Sequence, residues 1–139
     1  MNTLQLLSFI AYALVALSAL ATAAVYSTRK EFMSYHAATV GQSWSEVGDG
    51  MQLLVITMMR AMAGGWLAAT IAVVVLLLLP FRSGEAWANW TIFAINLTFL
   101  APGIFGIPKI RSRTPGRPPL SPLAAVALTI AGLVLGLAA

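Results

Sequence analysis

Between Asp49 and Phe81 the chain reads DGMQLLVITMMRAMAGGWLAATIAVVVLLLLPF, the longest apolar run in the sequence, with Arg60 as the one charge set inside it. A helix needs about 20 apolar residues to cross a hydrocarbon core of about 30 Å, and this run exceeds that. Shorter apolar runs occupy 4–26, 86–107 and 123–139. Across 139 residues, 60% are hydrophobic and only 9% charged, an excess that bilayer spans explain better than a large soluble core does. The expectation is an all-α, integral membrane four-helix bundle in a single domain. Its helices would cover about 4–26, 51–79, 86–107 and 123–139, with loops at 27–50 and 108–122.

Local signals set these boundaries. Leu4–Tyr26 is about 23 residues, roughly 34 Å as a helix. Ala21-Thr22-Ala23 resembles a leader-peptide cleavage site, but Met1–Gln5 has no basic residue and the run exceeds the usual apolar core of about 7–15 residues. Retention as a first membrane helix is expected. Ser43-Trp44-Ser45-Glu46 reads as a capping box, with Asp49 as a competing N-cap. Pro80 and the turn residues after it are expected to end the second helix, and the short connection makes the third its antiparallel neighbour. The proline density of PKIRSRTPGRPPLSP, residues 108–122, predicts an extended, irregular path.

Charge fixes orientation. Loop 27–50 carries Arg29 and Lys30, loop 108–122 carries Lys109, Arg111, Arg113 and Arg117, and the opposite side has only Arg82. The positive-inside rule puts both loops in the cytoplasm and both termini outside. The net charge of +4 therefore reads as topology and contact with lipid headgroups, not as a nucleic-acid footprint. With no cysteine, disulfides, thiolate-bound metals and CxxC redox chemistry are excluded.

Arg60 is the sharpest candidate residue, because a charge inside a membrane helix costs roughly 2.5–3.5 kcal/mol even on the mildest scale. Measured back from Leu79, however, it lies near the far boundary, where its side chain can snorkel to the headgroups. If it faces inward, the carbonyl of Thr98, left without its amide partner by Pro102, is its expected acceptor. Small residues in the same helix form two rows at i, i+4 spacing, one through Gly64 and Ala68, the other through Ala61 and Gly65. Rows of this kind let helices approach closely in lipid, so packing within the chain is expected there, with a dimer seam as the alternative. Asn89 and Asn96 share one face of the third helix and are expected to hydrogen-bond across helices, with Asn96 also a candidate ligand contact. His36 stands alone and makes a weak case for metal binding or acid–base work. It reads as an interfacial residue beside Tyr35. Neither a metal nor any other cofactor is expected, and no residue is assigned a catalytic role.

EFMSYHAATVGQSW, followed by MMRAMAGGW and PFRSGEAWANW, resembles a pattern in small bacterial inner-membrane proteins of four helices with a DoxX-like layout. The resemblance covers about residues 31–90 and carries no assigned activity. It implies that Glu31–Trp44 and Arg60 form one recurring unit, whose site members would be Tyr35, His36 and Arg60.

The leading functional expectation is non-enzymatic: an inner-membrane accessory protein, or one that binds a lipid or apolar ligand between its helices. Its partners would be membrane lipids and either a second copy or a larger membrane complex, with no nucleic acid. Two alternatives stay open. One is an oligomeric transporter or channel subunit for an anion or neutral solute, with Arg60 and Asn96 on a shared polar path. The other is an accessory subunit of a quinone- or lipid-dependent enzyme, with a pocket near Tyr35 and His36.

Overall fold

A computed structural model describes all residues, 1–139, and contains helices and no strands. Helix α1 (Thr3–Thr28) starts at Asn2, whose side chain accepts the free amide of Gln5 at 2.8 Å. Loop 27–50 is not irregular throughout. It contains α2 (Ser34–Val40), which Gly41 ends in the left-handed region at φ 71°. The fold thus has five α-helices where four were expected. Two turns are too short to show a periodicity in sequence, and a helix of that length depends on what it docks against.

The expected capping pair forms. Glu46 accepts from the Ser43 amide at 2.6 Å and from its hydroxyl at 2.7 Å, which holds the Glu46 carboxyl below its usual value. It opens only the 3-10 turn Trp44–Glu46, however, and α3 (Asp49–Leu76) starts afresh after Gly48. Gln52 joins the two, its side-chain amide donating to the carbonyls of Trp44 and Val47 at 2.9 Å each.

The helix ends close to where Pro80 and the turn after it were expected to end it, but Pro80 itself lies inside the helical path. The backbone loosens into a π-helical turn, Leu77–Phe81, that accommodates Pro80 and carries the helical path to Phe81. Helix α4 (Ala86–Arg113) likewise runs through Pro102 and Pro108, so the expected loop at 108–122 shrinks to Thr114–Leu120. Lys109, Arg111 and Arg113 then sit at a helix C-terminus, where cations are favoured by the peptide dipoles. Helix α5 (Ser121–Leu137) has Pro122 in its first turn.

The four longer helices form a ring: α1 packs between α3 and α5, and α4 packs against α5 and, over less of its length, against α3. Helices α1 and α4 run from the end holding the Arg82–Glu85 turn to the end holding α2 and the 114–120 linker, and α3 and α5 return. We call these the turn end and the loop end. Tyr12, Ala16, Val73, Leu77, Phe81, Ala88 and Ile92 form the larger core cluster, and Val15, Leu100 and Ala125 the smaller. α1, α3 and α4 are long and apolar enough to cross a membrane, while the 17-residue α5 is shorter.

The distribution of polarity is the most telling property of the bundle. Leu17, Leu53, Leu79 and Ile71 stand on its outer surface, whereas Ser8, Thr70, Asn89, Asn96 and Thr129 are buried.

Candidate functional site

Polar side chains meet the bundle interior at three levels. At the turn end a ladder climbs one face of α1. The Gln5 amide donates to the Phe81 carbonyl at 2.9 Å, and the Ser8 hydroxyl donates to the Gly132 carbonyl at 2.6 Å. One turn on, the fully buried Tyr12 hydroxyl donates to Asn89 Oδ1 at 2.7 Å, and Asn89 Nδ2 donates to the Leu133 carbonyl at 3.3 Å. Three helices are tied through one amide.

Such a junction needs close backbones, and α5 supplies them with glycine. A Cβ at Gly132 would lie 2.8 Å from the Tyr12 ring, and one at Gly136 would lie 2.6 Å from Asn89 Nδ2. Gly132 and Gly136 stand one turn apart, so GLVLG is the seam on which α1 and α4 close. The expected seam on α3 is used only in part. Ala61, Gly64 and Ala68 are exposed, a Cβ at Gly64 would meet nothing within 4 Å, and only Gly65 is packed, against Phe99. Within the chain, α3 instead buries Met59, Ala63, Thr70 and Val73.

At the middle level, two turns further along α4 from Asn89, Asn96 is 6% exposed and its Nδ2 has no hydrogen-bond partner. It lines a narrow slot between α1, α3 and α4 with Val15, Ala19, Trp66, Thr70 and Phe99. Thr70, whose hydroxyl donates to the carbonyl of Trp66 at 2.9 Å, does not accept from the amide. About 10 Å³ of the slot is open to the centre of a water-sized sphere, room for one small polar atom and not for a continuous path. Thr129 Oγ1 on α5 is the other buried polar atom without a partner.

At the loop end, α2 docks through aromatic contacts. The Tyr35 and Tyr26 hydroxyls share a hydrogen bond, the Tyr35 and His36 rings lie 4.2 Å apart, and Phe32 stands edge-on to Trp44 at 4.9 Å. Burial, and then the Tyr26 hydroxyl, push the Tyr35 phenol up, and burial pushes the His36 imidazole down. His36 Nδ1 accepts from the Met33 amide at 3.2 Å, which leaves Nε2 to carry the proton of the neutral ring. Gly116 seats the linker under this cluster, since a Cβ there would run into Thr39 and the Tyr35 carbonyl.

Tyr35 and His36 are therefore together, as expected, but Arg60 and Asn96 do not join them. Arg60 is exposed on α3, and its expected bond to the Thr98 carbonyl does not form. It lies roughly 32 Å of helix from Phe81, close to the thickness of a hydrocarbon core. No three or more His, Cys, Asp or Glu side chains group as a metal site. Sequence reading missed Ser8, Tyr12, Gly132 and Gly136. Their signal was present: polar residues at Asn2, Gln5, Ser8 and Tyr12 recur at helical spacing in an apolar run, and GLVLG is a small-xxx-small motif. Comparison with family models, curated proteins and solved structures finds no match to the chain.

Proposed function

We propose that the protein is a non-catalytic, membrane-embedded helical bundle that holds an apolar ligand or lipid against the seam of α3 and α4. Its polarity carries the membrane half of the reading. Leucines and isoleucines at 44–71% exposure on α1, α3 and α5 would be costly in water, and polar groups buried among alanines and glycines would be costly without a helix-to-helix bond. Lipid tails remove the first cost, and the ladder through Ser8, Tyr12 and Asn89 removes the second. On this reading α1, α3, α4 and the shorter α5 all cross the bilayer of a cell membrane. The termini and Arg82 then face outward and the basic loop end lies in the cytoplasm.

Asn96 carries the ligand half. A buried amide donor without a partner costs on the order of 1–3 kcal/mol, and this one faces a slot at the least tightly packed seam of the ring. A ligand with an apolar body and a carbonyl-type oxygen satisfies it. A solute path is the weaker reading, because Arg60 lies outside the slot that Asn96 lines.

Two experiments test this. The chain has no cysteine, so single cysteines report topology directly. Ser83→Cys should react with an impermeant maleimide from outside intact cells, and Ser112→Cys only after permeabilisation. Extraction of the protein from membranes by alkaline carbonate would overturn the membrane reading. Native mass spectrometry from mild detergent should show an apolar adduct that Asn96→Leu loses, and a wild-type chain free of adducts would overturn the ligand reading.

A further inference from the structure

Where α3 turns into α4, the surface folds into an open cleft of about 730 Å³, lined among others by Leu78, Leu79, Arg82, Ser83, Glu85 and Trp87. The volume lies within the range of about 300–1,000 Å³ typical of small-ligand sites. Its chemistry is layered along the helix axis. Leu78 and Leu79 are 49% and 63% exposed and form the apolar floor. Arg82 and Glu85, the only charged side chains between Arg60 and Lys109, form the rim. Trp87 and Trp90 stand half-exposed beside it, where indole rings mark the boundary between lipid tails and headgroups. The rim is held in shape by its own backbone. The Glu85 amide donates to the Pro80 carbonyl at 3.0 Å, and the Ser83 hydroxyl donates to the Leu79 carbonyl at 3.2 Å.

We propose that this cleft binds a zwitterionic phospholipid with a phosphoethanolamine headgroup. Arg82 takes the phosphate, whose paired oxygens match the guanidinium fork. Glu85 takes the primary ammonium, which has three donors to give it. The acyl chains descend over Leu78 and Leu79 into the bilayer. A purely anionic headgroup meets Arg82 equally well but leaves Glu85 facing a phosphate without a cation between them, so the pair of charges selects for the zwitterion. A quaternary ammonium offers Glu85 no N–H, which separates ethanolamine from choline. The inference rests on the membrane reading above, while the site itself is separate from the Asn96 slot.

The test is lipid retention by the full chain in nanodiscs made from equal parts phosphatidylethanolamine, phosphatidylglycerol and phosphatidylcholine. After gentle delipidation, bound lipid is counted by native mass spectrometry. Phosphatidylethanolamine should be retained about tenfold over either competitor, the ratio expected when one charge-assisted hydrogen bond is lost. Glu85→Gln should abolish that preference while phospholipid is still retained, and Arg82→Gln should lower retention of all three. Neither residue is buried, so unfolding of the variants is not expected. Should a variant fail to fold, brominated phosphatidylethanolamine should quench wild-type fluorescence more than brominated phosphatidylglycerol, and Trp87→Phe should remove the difference. Equal retention of the three lipids, or unchanged selectivity in Glu85→Gln, overturns the proposal. So does binding of water-soluble phosphoethanolamine with no lipid retained, which would assign the site to a free headgroup. If the protein is instead released from membranes by carbonate, the membrane reading fails first and independently.

Discussion

Gly132→Ala is the substitution for which the fold makes its sharpest demand. The added methyl would sit 2.8 Å from one carbon of the Tyr12 ring and 2.9 Å and 3.0 Å from two more. Carbon atoms pack at about 3.5–4.0 Å, so the ring or the helix must move by roughly half an ångström or more. The ring cannot yield freely. It is fully buried, edge-on to Phe81 at a centroid distance of 6.1 Å, and its hydroxyl is held by Asn89. Forcing a methylene-sized group into such a site costs about 1–3 kcal/mol. Displacing the Tyr12–Asn89 bond adds about 0.6 kcal/mol, the mean for polar pairs in a membrane protein. Against this stands the gain of up to about 1 kcal/mol from replacing a helical glycine by alanine. The net expectation is a loss of about 0.6–2.6 kcal/mol, read as a lowered midpoint in reversible denaturation from mixed micelles followed by tryptophan emission. Gly64→Ala is the matched control. Its methyl meets nothing within 4 Å, so it should be neutral or stabilising by up to about 1 kcal/mol. Equal effects at the two sites, or a loss confined to Gly64→Ala, would refute the assignment of the seam to α5.

The Tyr12–Asn89 bond itself is open to a double-mutant cycle. Tyr12→Phe and Asn89→Ala should show a coupling of about 0.6–1.7 kcal/mol, and additive losses would mean that the two side chains act separately. Asn96→Leu should leave the ligand-free protein as stable as wild type or more stable by up to about 1–3 kcal/mol, because it removes a donor that nothing in the bundle satisfies. The same change at Asn89 should destabilise. At the loop end, burial favours the neutral ring of His36 and so lowers its folded-state pKa. The docking of α2 is then at full strength above the unfolded value of about 6.5 and is lost as pH falls through the folded one, because the undocked state binds the extra proton. Proteolysis of the 29–48 segment should therefore quicken on acidification, and His36→Phe should flatten that dependence.

How far the sequence carried the fold differs between its features. Helix existence was readable because each long run is apolar all round, a pattern that leaves few alternatives. The helix end at Pro108 was misread. Pro108 lacks a donor, as do Pro80 and Pro102, yet all three lie within a helical path, because a single missing bond is a small loss in a long helix. The capping box at Ser43 was read correctly as chemistry, and the start of the long helix was placed near Asp49, where it begins. The packing seam was sought on the i, i+4 rows of α3 through Gly64 and Gly65, when the tightest pair was Gly132 and Gly136 on α5. What spacing alone withholds is which face turns inward, and that depends on partners such as Tyr12 that lie more than a hundred residues away. His36 and Tyr35 were legible as neighbours, since adjacent residues stay close in any fold. Arg60 and Asn96 come from different helices, and no sequence rule joins them.

The ring of helices is unevenly held, and this has a mechanical consequence. Helices α1 and α5 are joined at Ser8–Gly132 and by the close approach of Tyr12 to Gly132, and α4 and α5 by Asn89 with Gly136. Between α3 and α4 no side-chain bond crosses, and at mid-height Gly65 lies against Phe99, with Trp66 edge-on to the same ring at 4.4 Å. In the proposed bilayer setting, an opening between α3 and α4 costs only apolar contacts that lipid tails can replace, whereas an opening at α5 strips buried hydrogen bonds. Fluctuation should therefore concentrate at the seam that Asn96 lines. Spin labels at Leu67→Cys with Thr98→Cys should give a broader distance distribution in nanodiscs than labels at Leu14→Cys with Ile130→Cys, and an apolar ligand should narrow only the first pair. Equal widths would show that the missing bonds do not loosen the seam, and would leave the Asn96 slot without a route of entry from the bilayer.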